Sequence, residues 1–243
     1  MQVLGVIPAR FASTRFPGKP LALIDGISMV QRVWDQVSRC SSLAGAVVAT
    51  EDQRIIDHVE SFGGRAIMTS PEHASGTDRI GEVAMAYPGM DYLLNIQGDE
   101  PLLQPDAIDD LVRETLKVMA PMSTLVHPIG NDPSIEDVTN PNFVKVARAL
   151  NGNALYFSRS PIPYPRDPSA CSYLKHIGIY MYNRATLETL CSLPRSPLEA
   201  SESLEQLRAM ENGISIFTVE TSYDPVSVDV PEDVGRAEQR LRS

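Results

Sequence analysis

The sequence predicts an α/β fold, with a mostly parallel central sheet covered by helices on both faces and a smaller β-rich lobe. Three observations predict it. Short apolar runs alternate with longer amphipathic ones over roughly the first 120 residues. Those short runs are apolar at consecutive positions, as strands buried on both faces require. Near residue 121 the rhythm gives way to segments with period-two alternation and turn signals such as Asn151-Gly152.

Taken in order, residues 3–7 (VLGVI) read as a buried strand. Residues 29–37 (MVQRVWDQV) place apolar side chains at helical spacing behind Ser28, a suitable N-cap. A strand at 46–49 and a helix at 53–62 follow, the helix closed by Gly63-Gly64. A short strand at 66–68 precedes a helix at 77–87, introduced by the Ser75-Gly76 turn. Residues 92–96 (YLLNI) form the next strand, which ends at Gln97-Gly98-Asp99-Glu100-Pro101, and 106–119 is helical. Beyond that point strands are expected at 123–126, 143–150, 154–157 and 176–182, with a proline-rich irregular stretch at 160–168. Helices return at 184–191 and 199–211, then a strand at 215–219 and a last helix after Pro231.

At 243 residues the chain is long enough for one sizeable core, and 43% hydrophobic with 21% charged residues is ordinary globular composition. No apolar run reaches the roughly 18 residues of a membrane span, and MQVLGVIPAR lacks the marks of a secretory signal. Cys40, Cys171 and Cys191 are scattered and odd in number, which disfavours a disulfide framework or a cysteine zinc site and fits a reducing cytoplasm. The net charge of −10 argues against nucleic-acid binding. It leaves open a small anionic substrate, which needs only a local cluster of cations.

In parallel sheets, ligands bind outside the carboxyl ends of the strands. After the first strand comes Pro8-Ala9-Arg10-Phe11-Ala12-Ser13-Thr14-Arg15-Phe16-Pro17-Gly18-Lys19-Pro20, with three cations among small and hydroxyl residues. Such a loop can wrap phosphates, Arg forking onto oxygens and Lys acting as a point charge. It is not a Walker A loop, since Ser13 and Pro20 stand where that motif needs Gly and Ser or Thr. A GxGxxG fingerprint is absent as well. A solvated basic loop is the plainer reading of three cations; their position after a buried strand favours the cradle.

Asp99 lies where the fourth parallel strand ends, and Gly98 allows a sharp turn there. Above a phosphate loop, its carboxylate is well placed for magnesium, which prefers oxygen ligands. Candidates for a second carboxylate lie in Ser227-Val228-Asp229-Val230-Pro231-Glu232-Asp233. Asp229 can equally be the cap of the last helix, with Pro231 in its first turn.

Read together, eight strings resemble the 3-deoxy-manno-octulosonate (Kdo) cytidylyltransferases. They are Ile7-Pro8-Ala9-Arg10, the stretch 13–21, Ser75-Gly76-Thr77-Asp78-Arg79, the stretch 95–101, 154–159 (ALYFSR), His176-Ile177-Gly178-Ile179-Tyr180, Leu204-Glu205-Gln206-Leu207-Arg208 and 228–233. The match is collinear from residue 2 to about 240. It departs at Ile27-Ser28, where many members carry Lys-Pro, and at Ala200, where some carry His.

The resemblance implies a nucleotide-diphospho-sugar transferase fold, a homodimer, and conversion of CTP and Kdo into CMP-Kdo and pyrophosphate for lipopolysaccharide biosynthesis. It implies one domain over 1–243: a nucleotide-binding part at 1–120, a β-rich sugar-binding and dimerisation lobe at 121–228, and a C-terminal helix at 229–243. By the family's pattern Arg10, Ser13 and Lys19 hold the CTP phosphates, and Asp99 and Asp229 ligate Mg2+. The Ser75-Gly76 turn, with Arg79 behind it, helps read the cytosine or position the sugar site. Gln97, Arg159, His176, Tyr180, Glu202 and Gln206 line the sugar pocket. On its own residues, His176 beside Lys175 reads as structural as readily as sugar-binding, and it is not made the general base.

The expected reaction is attack of the sugar's anomeric hydroxyl on the α-phosphorus of CTP. Arg10, Lys19 and Asp99 carry it by positioning and charge neutralisation. The alternatives are a cytidylyltransferase for another acidic sugar, such as 8-amino-Kdo, and a non-catalytic nucleotide-binding regulator on the same fold.

Overall fold

The computed structural model describes residues 1–12, 15–73, 75–130, 132 and 136–242. The chain divides into two compact units, Met1–Val112 with Pro225–Ser243, and Arg113–Asp224.

In the first unit, β1 (Val3–Pro8) sends Val3, Leu4, Val6 and Ile7 into the core, as the consecutive apolar residues require. A hairpin of β2 (Leu23–Ile24) and β3 (Ile27–Ser28) follows. Its turn residues Asp25 and Gly26 have φ of 48° and 78°, the paired positive values of a type I′ turn. Helix α1 (Met29–Val37) starts at Ser28, whose hydroxyl accepts the Gln31 N–H at 3.3 Å. Then come β4 (Gly45–Thr50), α2 (Gln53–Ser61), β5 (Ala66–Met68), α3 (Gly76–Ala86) and β6 (Tyr92–Asn95). Helix α3 opens with a capping box: Ser75 Oγ accepts the Asp78 N–H at 3.2 Å, and the Asp78 carboxylate accepts the Ser75 N–H at 3.2 Å.

These four longer strands run parallel in the order β6-β1-β4-β5. The chain steps outward from β1 to β5 and then crosses back to lay β6 on the other side of β1. The loops leaving β1 and β6 therefore diverge from a topological switch point, where sheets of this kind open their binding crevice.

Helix α4 (Pro105–Val118) spans the division between the units. The second unit holds β7 (Met122–Gly130), α5 (Glu136–Thr139), β8 (Lys145–Arg148), β9 (Ala154–Ser158), β10 (Tyr173–Asn183), α6 (Arg184–Ser192), α7 (Pro197–Glu202), α8 (Gln206–Glu211) and β11 (Ile216–Glu220). Strand β10 runs antiparallel to β7 and β8, β8 antiparallel to β9, and β11 parallel to β7. The β10–β7 register shifts between Ile177 and Tyr180. There the Thr124 hydroxyl lies 2.9 Å from the Ile177 carbonyl and 2.8 Å from that of Ile179.

The single helix expected over 199–211 is two helices. Ser203 takes a left-handed φ of 52° between them, and the carbonyls of Glu202 and Ser203 accept from Arg159, at 2.7 and 3.3 Å, instead of from the next helical turn. A buried bidentate pair braces the break: Arg208 Nε and Nη2 each donate to the Glu199 carboxylate at 2.9 Å.

The chain's last segment belongs to the first unit. Val228 and Ala237 share a buried cluster with Ile24 and Met29, against which Phe16, Val226, Val234 and Leu241 pack. Helix α9 (Asp233–Arg242) lies in this segment, and its Glu238 carboxylate accepts the Asp25 N–H of the hairpin at 2.8 Å.

Candidate active site

Above the carboxyl ends of β1 and β6 the first unit opens a cleft of about 540 Å³, lined by Arg10, Arg15, Lys19, Ser75, Gly76, Gln97 and Asp99 among others. Two glycines shape it. A Cβ on Gly98 would stand 2.5 Å from the Pro8 carbonyl oxygen, so only glycine lets the loop after β6 lie against the end of β1. Gly18 holds φ 72° and its N–H reaches back 2.9 Å to the Phe11 carbonyl, closing the first loop so that Lys19 begins a short 3-10 turn. From there Lys19 enters the cleft.

Lys19 Nζ lies 2.8 Å from Asp99 Oδ2 and 3.4 Å from Asp229 Oδ1, and Arg15 Nη2 reaches the same Asp229 oxygen at 3.2 Å. Residues far apart in sequence meet because the Val228 N–H donates to the Asp99 carbonyl at 2.9 Å, stitching the C-terminal segment to the loop after β6. The other reading of Asp229, as helix cap, fails on geometry. Its carboxylate takes no N–H of the last helix among the described residues; Asp233, at the start of that helix, reaches back with Oδ2 to the N–H groups of Asp229 and Val230 at 2.9 and 3.1 Å. The Asp229 carboxylate is left to the two cations.

Arg10 donates through Nη2 to the His73 carbonyl, and among the described residues it forms no ion pair with a carboxylate. Its charge is aimed without being neutralised. Ser75 and Gly76 bring the first turn of α3 to the cleft wall, where the positive end of the helix dipole favours anions. Ser13 lies outside the described residues.

Arg79 stands behind the Ser75-Gly76 turn, off the cleft wall. It is 1% exposed, donates from Nη1 to Thr69 Oγ1, and forms an ion pair from Nη2 to Glu51 Oε2 at 3.0 Å. Burial lowers its pKa, opposed by Glu51. It does not line the cleft. Instead it backs Glu51, whose Oε1 accepts the Phe11 N–H at 3.0 Å and so anchors the first loop.

In the second unit His176, Tyr180, Glu202, Gln206 and Arg159 have distinct surroundings. The His176 and Tyr180 rings lie 5.2 Å apart, whereas four residues of regular strand cover about 13 Å, so the register shift between them folds the strand up. Burial pushes the His176 imidazole down to about 3. Its Nε2 is 3.1 Å from Thr124 Oγ1, a hydroxyl whose proton goes to the neighbouring carbonyls, so Nε2 carries the hydrogen. The Tyr180 hydroxyl and Gln206 Nε2 are buried with no partner among the described residues. Burial raises the Tyr180 phenol well above its ordinary pKa.

Two expected sugar contacts are engaged with the protein instead. Glu202 accepts from Ser158 Oγ at 2.6 Å and from the Arg159 N–H at 2.9 Å. Arg159 donates from all three guanidinium nitrogens to main-chain carbonyls, including Pro141 at 2.9 Å. As they stand, both hold the break between α7 and α8.

A family model described as cytidylyltransferase matches residues 4–216. A 3-deoxy-manno-octulosonate cytidylyltransferase of Syntrophotalea carbinolica is 46% identical over 252 residues, covering 100% of this chain and 99% of its own. One from Myxococcus xanthus is 45% identical, covering 100% and 97%. The chain belongs to the 3-deoxy-manno-octulosonate cytidylyltransferase family. This cytidylyltransferase also matches a solved structure of CMP:2-keto-3-deoxy-manno-octonic acid synthetase complexed with CTP, with a TM-score of 0.94 and 41% identity, covering 100% of this chain and 99% of that one. The fold is accordingly the α/β, mostly parallel nucleotidyltransferase fold, with its smaller antiparallel part.

Three residues of this cytidylyltransferase carried no expected role yet touch the cleft's framework. Arg15 pairs with Asp229, Glu51 anchors Phe11, and Glu82 accepts from His73 beside Arg10. Only Arg15 left a trace in the sequence, as one of three cations in the first loop. The two glutamates match no motif, because each joins a main-chain N–H, which any residue type carries, to a side chain remote in sequence.

Proposed function

We propose that this chain transfers the cytidylyl group of CTP to the anomeric hydroxyl of Kdo, giving CMP-Kdo and pyrophosphate with Mg2+. The observation that carries the reading is the single ammonium of Lys19 held between Asp99 and Asp229 in a cleft that also contains Arg10. The donor set fits the metal. Two carboxylates converge on a position already taken by a cation, and Mg2+ commonly takes one or two carboxylates while phosphates and waters complete its shell. When bound, Mg2+ supplies charge neutralisation at phosphate and sugar oxygens.

Asp99 and Asp229 would hold that ion. Lys19 and Arg15, freed from those carboxylates, would turn to the phosphates, joining Arg10, Ser13 and the first turn of α3 at Ser75 and Gly76. Their charges would oppose the negative charge that builds on the departing pyrophosphate. Gln97, on the wall of the cleft, would face the sugar. In the second unit, the unpartnered Tyr180 hydroxyl and Gln206 amide are the kind of buried polar atoms that a hydroxyl-rich ligand satisfies. His176, Glu202 and Arg159 would support that sugar site. With a pKa of about 3, His176 is too weak a base to take the hydroxyl proton near neutral pH.

The product would serve as Kdo donor for lipopolysaccharide synthesis in the cytoplasm. We place a homodimer contact on the second unit, where Leu150, Leu155 and Tyr164 are exposed. The deciding experiment is pyrophosphate release from each nucleoside triphosphate with Kdo, 8-amino-Kdo and a sialic acid. CTP with Kdo should turn over fastest; a preference for the amino sugar moves the substrate, and no release with any pair removes the enzyme reading.

A further inference from the structure

Of the three cations lining the cleft, Lys19 and Arg15 pair with carboxylates, while Arg10 is held by the carbonyl of His73. A carbonyl orients a guanidinium without cancelling its charge, leaving the full charge for an incoming phosphate. What fixes that carbonyl is Glu82, on α3. Its Oε2 accepts the Ser70 N–H at 2.9 Å and also accepts from His73 Nε2. A carboxylate can only accept, so His73 Nε2 carries the hydrogen. The His73 hydrogen bond holds the Glu82 carboxyl below its ordinary pKa, keeping it in its accepting form. Glu82 thus pins both ends of the 70–73 turn.

We infer that Glu82 and His73 are positioning residues for nucleotide binding, fixing the turn whose carbonyl aims the Arg10 guanidinium into the cleft. This rests on the reading of the cleft as a CTP site. The test is calorimetric CTP binding to the full chain and its variants. Glu82→Ala should weaken CTP binding about tenfold, the size of coupling common within one hydrogen-bond network. Glu82→Gln, whose amide oxygen still accepts from Ser70 and His73, should recover most of it. Glu72→Ala, which removes an exposed carboxylate from the same turn, should leave affinity unchanged. In an Arg10→Ala background, Glu82→Ala should cost nothing further.

An equal loss in that background would make Glu82 merely structural and overturn the proposal, as would an unchanged affinity for Glu82→Ala. If the parent chain binds no CTP, the reading of the cleft falls with it. A parent that binds CTP while the variants behave alike removes only the positioning role.

Discussion

In the unit of Met1–Val112 and Pro225–Ser243, ionisable side chains stand around an open cleft and pair loosely across it, Arg15 and Asp229 being 67% and 43% exposed. In Arg113–Asp224 the long cations Lys145 and Arg208 are enclosed, as Arg79 is behind the cleft of the first unit. Lys145 is buried and spends its ammonium on the carbonyls of Asn140 and Phe143, and Arg208 is locked to Glu199. Exposed pairs are worth little and exchange readily for a ligand, whereas a buried pair is costly to break. The charges around the first unit's cleft can therefore exchange their partners for an anionic ligand. The second uses its charges to hold shape, and offers neutral polar groups such as the Tyr180 hydroxyl and the Gln206 amide.

The sharpest way to break this contrast is Asp99→Asn. Steady-state turnover should fall on the order of a thousandfold, because the charge that would hold the metal is gone. The thermal midpoint should barely move, since a partly exposed ion pair contributes about 1 kcal/mol or less. Turnover close to that of the parent would detach Asp99 from the chemistry. Glu199→Ala asks the opposite question of the second unit. It leaves Arg208 buried without its bidentate partner and should cost about 3–5 kcal/mol in urea unfolding. A cost comparable with that of Asp99→Asn would erase the distinction between the units.

Lys19→Ala comes next. Apparent affinity for CTP should weaken by about ten- to a hundredfold, corresponding to one lost charge-assisted contact. Stability should change far less, because the ammonium bridges two partly exposed carboxylates. Matched losses in affinity and stability would make the bridge structural.

The first unit was more legible in the sequence than the second, for physical reasons. Its strands are apolar throughout and its helices carry side-chain caps at Ser28 and Ser75, so local chemistry alone marks their positions. Asp99 was legible because Gly98 advertises a turn after a buried strand. The pairing of Asp229 with Lys19 and Arg15 was not, because those partners lie more than two hundred residues earlier in the chain. The burial of Arg79 was not legible for a similar reason: nothing local says that Glu51 and Thr69 will enclose it. In the second unit the break at Ser203 has no sequence mark, since the carbonyls it frees are claimed by Arg159, more than forty residues away. Glu82 escaped notice because it acts on a main-chain carbonyl through a turn.

The smallest effect comes from His176, and it tests whether the second unit's polar groups are held neutral. The imidazole has a pKa of about 3 in the folded chain against an ordinary 6.5. Above 6.5 neither state binds a proton at this ring, and the group adds no pH dependence. As pH falls below that value the unfolded chain takes up a proton that the folded chain refuses until about 3, so stability is lost across that window. His176→Gln removes this contribution while leaving the carboxylates to titrate as before. Between about pH 7 and about pH 5.5 the parent should lose about 1 kcal/mol more than the variant, read from unfolding curves at each pH. Parallel losses would mean that the folded protein protonates this ring as readily as the unfolded chain does, and that the second unit does not hold it neutral.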